Sequence, residues 1–279
     1  MGPDCPHWVY TPFHTICTGG HYIASATIQD TMIRLIHTFM LDSYISNTNH
    51  TPTRILLCWL ASLYYQGLVK KKYKRYEVTH AHLFDFESFA SVLDLMAFCN
   101  LIIFINVLDF QTYMFNKYIA VNDIKHLSQE RLAAIEAFDH NTVPPKDRMR
   151  YQNARGQAYA LIDWLFKSVD IIDLDTNQPV EDPCTSLWIP YIAQQASALL
   201  VYKNKAEQDK LKGAKGCTPA TLKRQILLCF QGSYLEEPVN AAIEAECEVF
   251  TFLEPHRYKA TRRNDLKSAL HEFILSFYI

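Results

Sequence analysis

Several signatures of common enzyme and membrane classes are missing from this sequence. It has no glycine-rich phosphate loop and no Gly-x-Ser-x-Gly elbow, so nucleotide hydrolysis and serine-esterase chemistry have no support. The most apolar stretch, Leu95 to Leu108, is shorter than the about 20 residues that a membrane span needs. We therefore expect no membrane-spanning segment and predict that this stretch is a helix buried in the core.

The cysteines and the overall charge exclude further classes. No two of the eight cysteines lie within four residues of each other, so the spacing of a zinc knuckle is absent. The first residues show neither a basic start nor an apolar run of the secretory type. We expect reduced, buried thiols in an intracellular protein of the nucleus or cytoplasm. A net charge of -2 gives no overall indication of nucleic acid or of a membrane surface.

The character of the sequence changes near residue 25. Residues 1–25 contain short runs of aromatic and β-branched residues between prolines and glycines, at His7–Thr11, Thr15–Thr18 and His21–Ile23. Such runs are typical of strands. Residues 26–279 are mostly helical in pattern. The sequence therefore predicts a mainly α fold, a multi-helix domain at 26–279 after a short β segment.

Helical periodicity predicts both the helices and their buried faces. A helix beginning at Thr27 should bury Ile28, Met32, Leu35, Ile36, Phe39 and Met40. A helix at 53–74 should bury Ile55, Leu56, Trp59, Leu63 and Leu68 on its inward face. A third is predicted at 87–115, and further ones near 128–138, 145–172, 184–212, 218–232, 236–248 and 264–278. The predicted loops between them are 139–145, 173–183 and 212–219.

The N-terminal segment resembles a known family. Residues 1–11, MGPDCPHWVYT, are similar to a segment that leads into a late strand of the jelly roll in fungal JmjC-type oxygenases. Residues 16–22, ICTGGHY, resemble the family's next strand. Pieces that resemble the family's helical C-terminal region follow in order at 45–50, 99–101, 106–109 and 153–156. The resemblance implies that residues 1–25 are the last strands of a cupin-type jelly roll.

The resemblance also implies a chemistry. JmjC proteins are iron(II)- and 2-oxoglutarate-dependent dioxygenases that hydroxylate proteins or demethylate histone lysines. Two histidines and one carboxylate hold their iron and leave positions open for 2-oxoglutarate and oxygen. By position, His7 is the last of these three metal ligands. A protein substrate or a chromatin partner is implied in the same way.

The sequence departs from the family at the other two ligands. None of its histidines occurs as His-x-Asp or His-x-Glu, the motif that supplies them. We therefore expect a truncated member of the family that is not catalytic as this chain alone. In that case His7 is a polar residue near a loosely held terminus rather than a metal ligand. The alternative function is a non-enzymatic helical module that binds other proteins.

One basic cluster stands out, at Lys70, Lys71, Lys72, Lys74 and Arg75, with Tyr73 among the cations and Tyr76 directly after them. It could contact the phosphates of nucleic acid or an acidic partner. The preferred interpretation is a solvated helix end, where cations complement the helix dipole. The sequence therefore gives only weak support for direct binding of nucleic acid.

Overall fold

The computed structural model describes residue 13 and residues 27–41, 51–71, 86, 88–114, 142–211, 216–247 and 256–262. This part of the chain is mainly helical, as predicted, with a small sheet. Its seven α-helices are α1 (Ile28–Leu41), α2 (Thr51–Tyr64), α3 (Phe89–Ile103), α4 (Pro145–Ser168), α5 (Ile189–Gln208), α6 (Pro219–Phe230) and α7 (Glu236–Glu244). Its strands are β1 (Val169–Asp173), β2 (Gln178–Pro179) and β3 (Tyr258–Arg262). The strands predicted at 1–25, including His7, and the helices predicted at 128–138 and 264–278 lie outside the described residues.

Helix α3 forms the centre of the core. Every residue from Leu95 to Leu108 is buried, which confirms the predicted burial of this apolar stretch. Helices α1, α2 and α4 pack against α3, and β3 lies on it where the ring of Tyr258 meets Phe89 at a centroid distance of 4.8 Å. Helix α5 packs against α6, α7 and α1 and so extends the core.

The predicted face of α1 is confirmed, whereas the inward face predicted for residues 53–74 is correct only in part, since Ile55 and Leu68 are half-buried against the core. All six apolar positions of α1 are buried. In α2 the buried positions are Leu57, Cys58, Ala61 and Tyr64 together with the charged Arg54. Leu56 and Trp59, predicted to face inward, are 38% and 60% exposed. Helix α2 packs against α4, and Leu56 and Trp59 face solvent.

Two of the predicted helices are replaced by other structure before their expected ends. Helix α4 stops at Ser168, and the predicted helical residues 169–172 belong to β1 instead. Val169 caps α4 with extended dihedral angles, and Val169 and Ile171 face the core at alternate positions, as in a strand. Helix α3 stops at Ile103, where turns and a short 3-10 helix, Phe110–Tyr113, replace the rest of the predicted segment 87–115.

The sheet is antiparallel in the order β2-β1-β3. In its register Ile171 lies opposite Ala260, and Ile172 lies opposite Pro179. The turn after β1 is held by Asp173, whose Oδ1 accepts hydrogen bonds from the N–H groups of Asp175 and Thr176. Asp173 Oδ2 accepts hydrogen bonds from Arg257 Nη2 at 2.9 Å and Arg257 Nε at 3.2 Å. The Asp173 carboxylate therefore stabilises the turn after β1 and binds Arg257.

We expect Arg257→Gln to raise the pKa of the Asp173 carboxyl towards its ordinary value. The hydrogen bonds from the Arg257 guanidinium, with those from the turn N–H groups, hold the pKa of Asp173 below that value. A depressed folded-state pKa contributes stability above the unfolded-state pKa, and that stability is lost as the pH falls through the folded-state pKa. NMR titration of the Asp173 carboxyl carbon measures the change. Lys167→Gln, which removes a cation paired with Asp163, is the control and should leave the Asp173 titration unchanged.

Candidate functional site

The described part of the chain contains only two residues of the predicted sites. Lys70 and Lys71 are exposed at the end of a π-helical turn, Tyr65–Val69, that continues α2. The Lys70 ammonium lies 5.4 Å from the centre of the Tyr65 ring, and Lys71 has a left-handed φ of 51°. Lys70 thus caps a helix end, and Lys71 follows it. The predicted ligand His7 and the basic residues Lys72, Lys74 and Arg75 lie outside the described residues.

The thiols in the described ranges are located in the protein interior. Four of them are buried, namely Cys58, Cys99, Cys217 and Cys229, whereas Cys184 and Cys247 are half-buried. Burial raises the pKa of Cys58 and of Cys217 to about 12 each, so these two thiols stay protonated at neutral pH. Within residues 27–262, as far as they are described, no three His, Cys, Asp or Glu side chains are grouped as metal ligands.

Three of the sequence pieces that resemble JmjC proteins take part in buried or half-buried hydrogen bonds. The first is Asn100, on α3. Its Nδ2 donates to Gln195 Oε1 at 2.7 Å, and its Oδ1 accepts from Trp188 Nε1 at 2.7 Å. Asn100 and Trp188 have no exposed surface, and Gln195 is 2% exposed. These bonds fasten α3 to the start of α5 and use both polar atoms of the Asn100 amide.

Asn106 and Arg155, from two different pieces, are bonded to each other. The Arg155 guanidinium donates to Asn106 Oδ1, to the carbonyl of Ile103 at 3.3 Å and to Cys229 Sγ at 3.3 Å. Thr112 Oγ1 donates to the Asn106 carbonyl at 2.6 Å. One arginine on α4 thereby ties together the end of α3, the turns after it and α6.

Asp109, in the same piece as Asn106, is almost completely buried. Its Oδ2 accepts a hydrogen bond from Tyr151 Oη at 2.8 Å, and its Oδ1 accepts one from the N–H of Gln111 at 2.9 Å. Arg54, which is 2% exposed, donates through Nε to the carbonyl of Leu108 at 3.1 Å. Burial, and then Asp109, raise the pKa of Tyr151 above its ordinary value, so the Tyr151 hydroxyl stays a donor at neutral pH. We call Asn100, Asn106, Asp109 and Arg155 the polar anchors.

A groove between α5, α6 and α7 is the candidate binding site in the described ranges. It encloses about 430 Å³, within the size range of small-molecule pockets. Ser197, Leu200 and Ile243 are buried at its floor. Its rim includes the exposed side chains Lys205, Lys223 and Glu246. The groove therefore combines an apolar floor with a charged rim.

Local structure explains how the rim residues reach the groove. Thr218 caps α6 by exchanging hydrogen bonds with Thr221. These bonds fix the first turn of α6, and Lys223 lies directly after that turn. Glu246 follows the end of α7 with a left-handed φ of 49°, a conformation that usually requires glycine. Sequence reasoning missed this site because its residues come from three helices and share no spacing along the chain.

Comparisons with known proteins identify neither a family nor a structural relative. The chain matches no protein-family model, no curated protein and no solved structure. Among the helices that the structure describes, none has the combined length and apolar character needed to cross a bilayer.

Proposed function

We propose that this chain is the helical C-terminal portion of a JmjC-type iron(II)/2-oxoglutarate oxygenase and that it is not catalytic by itself. The opening segment MGPDCPHWVYT supports the family, and the missing His-x-Asp or His-x-Glu motif supports the lack of catalysis. In the complete oxygenase His7 would be one metal ligand, and a protein or chromatin substrate would be bound by parts outside this chain.

The polar anchors are the structural observation that carries the non-catalytic role. Asn100 and Asp109 each use both of their side-chain polar positions on other residues of the interior. Asn106 and Arg155 bind each other. Side chains engaged in this way hold helices together, so the family-like pieces of the helical region support a scaffolding role.

We expect anaerobic titration calorimetry to show no one-to-one binding of iron(II) to the chain when 2-oxoglutarate is present. A facial triad needs three ligands, and the sequence offers His7 without the His-x-Asp or His-x-Glu pair. Tight binding that disappears in His7→Ala but persists in His256→Ala, an exposed histidine in a turn, would contradict the proposal.

The family assignment has a separate test. Any in-frame coding sequence upstream of Met1 should encode the missing His-x-Asp or His-x-Glu strand. A chain extended to include it should convert 2-oxoglutarate and oxygen to succinate and carbon dioxide, and His7→Ala should abolish that turnover. An extended chain that has the motif but shows no turnover sensitive to His7 would remove support for the oxygenase.

The second candidate function is a helical module that binds other proteins. Leu56 and Trp59, one turn apart on α2, expose apolar surface to solvent, and such surface often marks a contact with another protein. An upstream region that lacks the metal motif would favour this function over the oxygenase.

A further inference from the structure

We propose that the solvent side of α2 is a docking surface for an amphipathic helix of another protein, in which acidic residues flank the apolar stripe. The proposal rests on the second candidate function, the protein-binding module, and adds the chemistry of the partner. It is independent of the oxygenase assignment. It is supported by the exposed apolar side chains of α2, by the lack of charge around them and by the exposed lysines at the end of the helix.

Three apolar side chains form a stripe on the solvent side of α2. Leu56, Trp59 and Leu63 follow one another at spacings of three and four residues, which places them on one face of the helix. Leu56 and Trp59 are 38% and 60% exposed, and Leu63 is half-buried but does not pack against the core cluster. The same spacing recurs where two helices pack their side chains between each other. The stripe therefore has the form of one half of a helix–helix contact.

The solvent side of α2 also lacks the charges that a surface helix usually carries. Between Thr51 and Val69 the sequence has a single charged residue, Arg54. Arg54 is 2% exposed and donates to the carbonyl of Leu108, so its charge does not reach the stripe's surface. The centre of a protein–protein interface is likewise depleted of charge and enriched in tryptophan. Trp59 therefore has the surroundings of an interface residue.

The width of the stripe favours a partner helix over a lipid surface. Ile55 and Leu60, which flank the stripe, pack against the core, so the apolar surface left on α2 is narrow. A helix that lies in a membrane interface presents a wide apolar face to the lipid. A partner helix, in contrast, needs only a narrow seam into which it inserts its own apolar side chains.

The end of the helix determines the charge that the partner should carry. Lys70 and Lys71 are exposed directly after the π-helical turn, and neither is ion-paired within the described residues. The Lys70 ammonium lies 5.4 Å from the centre of the uncharged Tyr65 ring, so this contact leaves its positive charge unbalanced. The sequence continues with three further cations, at Lys72, Lys74 and Arg75. Positive charge at the end of an uncharged stripe is complementary to acidic residues on a partner helix.

Two synthetic helical peptides test the proposal by isothermal titration calorimetry with the full chain. Both peptides have leucine at the a and d positions of every heptad, and the flanking e and g positions are glutamate in one and lysine in the other. Like charges at e and g keep either peptide from pairing with itself. The glutamate peptide should bind one-to-one with a Kd on the order of 10 μM, as suits a small interface. The lysine peptide should bind at least about tenfold more weakly, because it meets the charge of the lysines.

Matched variants assign the binding to named residues. Trp59→Ala should weaken binding of the glutamate peptide at least about tenfold, since a central tryptophan contributes much of the affinity of such contacts. Leu174→Ala, which removes a leucine that is 50% exposed in the turn after β1, should leave the affinity unchanged. Replacing both Lys70 and Lys71 by glutamine should narrow the difference between the two peptides. Circular dichroism checks that each variant is folded.

Several outcomes would overturn the proposal. Equal binding of the two peptides, the absence of binding, or an affinity unaltered in Trp59→Ala would each do so. Self-association of the chain that Trp59→Ala abolishes in sedimentation would assign the stripe to a second copy. Binding to phosphatidylserine vesicles that the same substitution abolishes would assign it to lipid. A preference for the lysine peptide would overturn the acidic partner alone and leave the protein-binding function in place.

Discussion

Replacing Asp109 by alanine is expected to lower the free energy of unfolding by about 3–5 kcal/mol. The substitution removes the acceptors of the Tyr151 hydroxyl and of the Gln111 N–H in a site that is 4% exposed. Urea denaturation followed by circular dichroism measures the loss.

Tyr151→Phe is the matched control for this prediction. It removes one hydroxyl from the same contact and keeps the Asp109 charge, so we expect a loss of only about 1–2 kcal/mol. In the double variant the two losses should not add, because both substitutions break the same 2.8 Å hydrogen bond. If Asp109→Ala were no more destabilising than Tyr151→Phe, the carboxylate would not be the anchor of this segment.

Replacing Trp188 by alanine should lower the free energy of unfolding by about 3–5 kcal/mol. The side chain is fully buried, its ring packs against Tyr159 and Tyr234, and its Nε1 donates to Asn100. Removing it leaves a cavity and an unsatisfied amide oxygen in the core. Trp188→Phe keeps much of the volume but loses the donor, so it should account for about 1–3 kcal/mol of the loss.

Trp59→Ala is the control for Trp188→Ala, because it removes a tryptophan from the surface instead of the core. Trp59 is 60% exposed on α2, and its removal should change the stability by no more than about 0.5 kcal/mol. Chemical denaturation of Trp188→Ala and Trp59→Ala under the same conditions compares the two sites. Equal losses would mean that the burial of Trp188, or the exposure of Trp59, is wrong.

The sequence predicted helices best where one apolar face was unambiguous. In α1 the spacing leaves a single apolar stripe, and all six predicted positions are buried. In α2 apolar residues occupy two stripes, and periodicity alone cannot decide which of them packs. The choice depends on how α2 packs against α4 and α3, which the spacing along α2 alone does not reveal.

The helix ends were predicted wrongly where contacts with distant parts of the chain decide the structure. Residues 169–172 follow α4 without a proline or a glycine to mark a break, so the helical pattern was extended through them. They form β1 because β3, which lies far along the chain, supplies hydrogen-bond partners. The groove was missed for a related reason, since its floor and rim come together only when α5, α6 and α7 pack. The site predicted at His7 remains a prediction, as it lies outside the described residues.

The pairing of β1 with β3 also affects the order in which the chain folds during synthesis. Helices form from local contacts, whereas this pairing must close the long loop from Asp173 to Tyr258, which contains α5, α6 and α7. At ribosomal rates that segment takes roughly ten seconds to emerge. Throughout this interval β1 lacks its β3 partner, and the nascent chain presents an open strand edge to which chaperones can bind.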